Sequence, residues 1–196
     1  MARTANAIDG FSTGKRQGRE QEIFTPRVIV DVLHEVWPEG IALDPCAGRG
    51  SLIAAATNYY GRRVHAPTEK TPDRHVWRGQ GLVLPWKRRT YWNPPFDNLE
   101  AWMEKAYAES LKFPEQVGMV PVRPRRDWWR DHAERFDAIA WLDALAFHGY
   151  EHQFPESLIL GYRGKRVAAF KHAVERRGIG EIRPWGRSRI RKGAVA

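Results

Sequence analysis

A single-domain α/β fold, with a mostly parallel sheet covered by helices on both faces, is predicted by three observations. Short apolar runs of strand length alternate with amphipathic stretches of helical period. Two unusual loops each follow such a run, and open α/β sheets hold their ligands beyond the carboxyl ends of strands. The length, 196 residues, suffices for one domain and is too short for two independent ones. With 42% hydrophobic and 28% charged residues the chain buries a core and stays in solution, which excludes wholesale disorder.

Residues 1–22 are polar, glycine-rich and charged without periodicity, and are read as a flexible arm. Gly10, Gly14 and Lys15 imitate a phosphate-binding loop, but their spacing is one residue short. Arg16 also stands where a hydroxyl should hold magnesium, and no strand precedes, so that reading is rejected. A folded domain is expected over 23–162. Thr25 reads as an N-cap with Pro26 in the first helical turn. Val28, Ile29, Val32, Leu33 and Val36 then line one helical face, and Pro38 ends the run. Ile41 to Leu43 is a short buried strand that runs into Asp44-Pro45-Cys46-Ala47-Gly48-Arg49-Gly50.

A second helix is expected from Ser51 to Tyr60, stopped by Gly61, and a strand from Arg63 to Ala66. Thr90 to Trp92 is a strand leading into Asn93-Pro94-Pro95-Phe96. Leu99, Trp102, Met103, Ala106, Tyr107 and Leu111 recur at helical spacing and close near Pro114. Val117 to Val122 is a strand, Asp127 to Arg135 a short helix, and Ala138 to Leu142 and Ser157 to Tyr162 are strands. Residues 163–196, rich in Arg, Gly and Pro, are read as a basic tail.

Thirty-two Lys and Arg against 23 Asp and Glu leave a net charge of +9. Beyond Tyr162 lie eleven basic residues, Arg163 to Lys192, against Glu175 and Glu181, a surplus equal to the whole net charge. Such a balance favours a polyanion, and nucleic acid is the expected partner. No stretch approaches the roughly 18 apolar residues that span a bilayer, and the N-terminus lacks an apolar signal core. The one cysteine, Cys46, forms no internal disulfide. A cytoplasmic protein without membrane contact is expected. His148 and His152 are spaced like zinc ligands, but no third ligand accompanies them and Gly149 and Pro155 disfavour a helix, so no metal is expected.

The loops carry the chemistry. Gly48 and Gly50 let the backbone approach a ligand closely, and a third glycine at dinucleotide spacing is missing, which disfavours a nicotinamide or flavin. In the second loop two prolines fix the backbone and leave no N–H to satisfy. Carbonyls are thereby held outward as acceptors beside the Asn93 side-chain oxygen, with the Phe96 ring at the edge. Two fixed acceptors and a stacking face suit a planar group bearing an NH₂.

Asp44-Pro-Cys-Ala-Gly-Arg-Gly50 followed by Asn93-Pro-Pro-Phe96 resembles the paired signatures of amino-group DNA methyltransferases that use S-adenosylmethionine. Phe24-Thr25-Pro26, Val120-Pro121-Val122-Arg123 with Asp127-Trp128-Trp129, and Phe154-Pro155-Glu156-Ser157 are similar to the phage-type DNA N-6-adenine methyltransferase (Dam) family. The resemblance spans about residues 20–162. It implies a Rossmann-like sheet of the class I methyltransferase type and a phage or prophage origin. Phe24, Thr25 and Pro26 would border the methionine end of the cofactor. Asp44 and the backbone of Pro45, Cys46, Ala47, Gly48 and Gly50 would hold its amino acid and ribose portions, with Glu69 at the ribose hydroxyls. Gln80 stands where the family carries an acidic residue for the cofactor's adenine, and Asp143-Ala144 replaces its Gly-Arg before Leu145-Ala146-Phe147.

The catalytic set implied is Asn93, Pro94, Pro95 and Phe96, with Asn93 also bordering the cofactor. The target amine would donate to Asn93 and the Pro94 carbonyl, and Phe96, with Trp92 as a further ring, would stack on a base flipped from the duplex. Arg123, Arg125, Arg126, Trp128 and Arg130 at the rim, and Arg163, Lys165 and Arg166 in the tail, are expected on DNA phosphates. Cys46 lies inside the cofactor loop, which argues against a cytosine-5 nucleophile. Adenine N6 methylation of DNA, duplex or single-stranded, is the expected activity. Methylation of cytosine N4 or of a protein glutamine amide, and a non-catalytic DNA-binding protein of this fold, are the alternatives.

Overall fold

A computed structural model describes residues 25–48, 51–65, 75–145, 147 and 156–183. In chain order it contains α1 (Arg27–Val36), β1 (Asp44–Ala47), β2 (Asn58–His65), β3 (His75–Gly79), β4 (Thr90–Trp92) and α2 (Leu99–Lys112). β5 (Gln116–Pro121), α3 (Asp127–His132), β6 (Ala138–Leu142), β7 (Leu158–Arg163), α4 (Val167–Arg177) and β8 (Gly180–Arg183) follow. The fold is mixed α/β.

One sheet has the order β4-β5-β7-β6-β8 and the other β1-β2-β3. A parallel bridge between Leu43 and Thr90 joins them, and the Tyr91 N–H donates to the Leu43 carbonyl at 3.1 Å. The five-stranded sheet is mostly antiparallel, which corrects the expectation of parallel pairing. Only β4 and β5 pair in parallel there, because β7 enters reversed between β5 and β6, and β8 pairs reversed with β6. β1, β4, β5 and β6 therefore still run in one direction.

Helices do cover both faces. Side chains alternate across each strand, so Tyr91, Val117, Met119, Leu158 and Leu160 join α1 and α4 in one core. Trp92, Val120, Ile139 and Ile159 join α2 and α3 in the other.

Several local expectations are corrected. No helix forms from Ser51 to Tyr60. Residues 51–57 form no regular element, and Asp44, Ala56 and Thr57 exchange backbone bonds with Thr57, Ile41 and Ala42, so pairing to the β1 segment overrides the helix propensity of the alanines. The strand expected at Ile41–Leu43 starts at Asp44, so half of the anticipated glycine loop is strand. The strand expected from Arg63 lies within β2, and Ala66 falls outside the described residues. Pro26, not Thr25, is the N-cap of α1.

The domain does not stop at residue 162. Phe170, Ala173, Val174 and Ile179 are core residues, and Gly178, at φ +56°, closes α4 in the left-handed conformation. The arm over 1–22 and the basic segment 184–196 lie outside the described residues.

At the amino end of β5, the Glu115 carboxylate locks the layers together. It accepts from the Tyr162 hydroxyl at 2.5 Å, the Trp37 indole at 3.2 Å and the Lys165 backbone N–H at 2.9 Å. Burial alone would raise this carboxyl, but those donors hold it below the usual carboxylate range.

Candidate active site

Because β1, β4 and β5 share a direction, their carboxyl ends open on one edge, and the loops after them meet there. The parallel bridge between Leu43 and Thr90, with the Tyr91 N–H on the Leu43 carbonyl, sets the two signature loops side by side. Thr25 and Tyr91, the latter on β4, share a buried hydrogen bond of 2.9 Å between their hydroxyls. Arg123, just past β5, holds Glu156 through Nη2 at 3.0 and 2.9 Å and reaches the Phe96 carbonyl with Nη1 at 3.5 Å. At Gly81 a Cβ would stand 2.0 Å from the Pro45 carbonyl oxygen, so the Gly79-Gln80-Gly81 turn packs backbone to backbone on the first loop. Segments far apart in sequence thus converge on one place.

The electrostatics there are unusual. Asp44 is 4% exposed and accepts the Cys46 backbone N–H at 2.9 Å. Burial pushes its carboxyl up to about 7, because no ion pair to a described residue offsets the lost hydration. Burial, with Asp44 nearby, also pushes the Cys46 thiol well above its ordinary value. It stays protonated and is a poor nucleophile. The Tyr91 hydroxyl is pushed up by burial as well.

Of the expected catalytic set, Pro94 is buried while Asn93, Pro95 and Phe96 are half-buried, and Phe96 packs against both cores. Thr25, Pro26, Asp44, Pro45 and Ala47 are buried, and Cys46 and Gly48 half-buried, at the same edge. Gln80 is exposed and its Oε1 accepts the Tyr60 N–H at 3.4 Å. Phe24, Gly50 and Glu69 lie outside the described residues, as do His148 and His152.

Trp92 does not offer a stacking face, being fully buried against Phe136 and Trp86. Trp128, at 6% exposure, is core rather than a DNA contact, because α3 turns both tryptophans inward. Arg125 and Arg126 are exposed, and Arg130 is exposed and paired with Asp127. Arg163 pairs with Gln116 at the far end of β5, about 17 Å from Pro121 along the strand. It is spent on Ser110, the His132 carbonyl and the Tyr107 ring, while Arg166 holds Glu39. Arg163, Lys165 and Arg166 are therefore not part of the rim.

Tyr91 was not legible as a site residue; its signal is a hydroxyl within an apolar strand two residues before Asn93. Among the described residues no group of three His, Cys, Asp or Glu could hold a metal ion, and no helix is long and apolar enough to cross a membrane. Comparison with protein-family models, curated proteins and solved structures yields no match to this chain.

Proposed function

We propose that this chain is an S-adenosylmethionine-dependent DNA methyltransferase acting on the exocyclic amine of adenine. The observation that carries the reading is the juxtaposition of the Asp44 and Asn93 loops at the carboxyl ends of neighbouring parallel strands, joined through Leu43, Thr90 and Tyr91. The direction shared by β1, β4, β5 and β6, with helices on both faces, supports a Rossmann-like ancestry for the sheet.

The residues fit the cofactor. A buried carboxylate with no cation among the described residues calls for a cationic or donor ligand, and Asp44 lies where the cofactor's ammonium group would supply one. Thr25, Pro26 and the backbone of Pro45 to Gly48 would complete the site. S-adenosylmethionine supplies a methyl group made electrophilic by its sulfonium.

The protein's own task is to make a poor nucleophile competent. An aromatic amine delocalises its lone pair into the ring. Asn93 Oδ1 and the Pro94 carbonyl accept hydrogen bonds from its two N–H groups, and this favours tetrahedral nitrogen and stabilises the positive charge where it develops. Phe96 supplies a stacking face for the extruded base and offsets part of the few kcal/mol that flipping costs. Arg125 and Arg126 contact the backbone phosphates at the rim.

The test is methyl transfer from labelled S-adenosylmethionine to unmethylated DNA, with the modified nucleoside identified by mass spectrometry and Asn93→Ala alongside. N6-methyladenine from the wild type, reduced about 10²-fold in the variant, is the expected result. N4-methylcytosine keeps the mechanism and changes the base. Cofactor binding without any product refutes catalysis and leaves a DNA-binding protein of the same fold.

A further inference from the structure

Among the described residues, a group of exposed cations lies at the pole of the sheet opposite the rim. β4, β5 and β6 begin at that pole and the reversed β7 ends there, so the residues flanking these ends share one surface. Arg88 precedes β4, Lys112 ends α2 ahead of β5, Arg135 precedes β6 and Lys165 follows β7, and all four are exposed.

The surface is continuous. Arg89 and Arg166 both reach Glu39, whose carboxyl they hold down to about 2, so that acid offsets only half of their charge. Arg135 and Arg163 both lie over the Tyr107 ring, at 5.0 and 4.9 Å. Of the other acids at the same end, Glu115 is buried, while Asp137 is exposed and accepts the Gly164 N–H at 2.8 Å. Among the described residues of the rim, Arg123 is committed to Glu156 and Arg130 to Asp127, which leaves Arg125 and Arg126.

We propose that this distal pole is a second duplex-DNA surface, so that one chain holds two DNA segments at once. It takes its partner's identity from the reading above, but it requires no methyl transfer. Cations beside the ends of four adjacent strands present a positive face to a phosphate backbone, whose counterions are released on binding. The pole lies a full strand length from Asn93, so a duplex seated at the rim leaves it open.

The experiment titrates the full chain with a duplex of about one helical turn, by calorimetry and native mass spectrometry. Two duplexes per wild-type chain are expected. The triple variant Arg88→Glu, Lys112→Glu, Lys165→Glu should bind one, with the second event weakened at least tenfold. For the event it removes, the wild-type slope of log affinity against log salt should be about 3 attributable to these residues. Arg125→Glu with Arg126→Glu should instead remove the other event. A single duplex lost only in that double variant overturns the distal surface and leaves the proposed function standing. A single duplex lost only in the triple variant also overturns the proposal, because the chain then holds one DNA segment, at the distal pole, and the rim loses its part in the proposed function. Distal-dependent binding of phosphatidylserine vesicles with none of duplex also overturns the proposal, and thermal unfolding checks that each variant is folded.

Discussion

The hydroxyls of Thr25 and Tyr91 meet at 2.9 Å in a buried hydrogen bond that ties the entry of α1 to the strand carrying Asn93. Sixty-six residues separate them, so the bond exists only in the folded chain. It fixes a turn expected at the cofactor against the base of the Asn93 loop. Tyr91→Phe and Thr25→Val should each weaken S-adenosylmethionine binding by about 1 kcal/mol, or several-fold, measured by calorimetry. The double variant should lose little more than either single, because the two residues share one bond.

Asp44 sets a pH dependence of definite sign. Its folded value, about 7, lies above the ordinary value of an unfolded aspartate, so the folded chain binds more protons in between. Its contribution to stability is fully present below about pH 4 and is lost as pH rises through 7, on the order of 4 kcal/mol. Denaturant unfolding from pH 4 to 8 should show that decline in the wild type and a flatter profile in Asp44→Asn. Cofactor affinity should rise over the same interval, since the ionised carboxylate is the form that attracts a cation.

Glu115 gives the opposite limb. Its carboxyl is held down by Tyr162, Trp37 and Lys165, so its stabilisation is present above the unfolded carboxylate range and lost as pH falls through the folded value. Glu115→Ala should cost about 3 kcal/mol and leave three donors without their acceptor. Equilibrium denaturation measures this directly.

At Gly81 the requirement is space. A methyl group there meets the Pro45 carbonyl oxygen at 2.0 Å and the Trp102 ring at 2.8 Å. Gly81→Ala should push the first loop away, costing about 2 kcal/mol in stability and most of the cofactor affinity. Unchanged calorimetric affinity in a folded variant would contradict the packing described.

Much of this architecture is written locally. The apolar periods of α1 and α2, the strand at Thr90–Trp92 and the proline pair after it follow from residues within a few positions of one another. Within the last segment, Phe170, Ala173 and Val174 with Gly178 at the C-cap are an equally local helix signal, hidden among basic residues. Local pattern therefore carries the order of most elements, the composition of the two loops and the excess of positive charge.

Tertiary structure decided the rest, because those outcomes depend on partners far along the chain. β7 runs against β5 and β6 because it is slotted between strands already placed, and no local pattern encodes direction. Residues 51–57 stay out of a helix because the Ile41 and Ala42 carbonyls claim the N–H groups of Ala56 and Thr57. Trp92 and Trp128 are buried because each faces a sheet or helix surface that only packing brings to it. The cations of residues 163–166 lie away from Asn93 because β7 returns them to the strands' starting end, where their charge has no part in the candidate site.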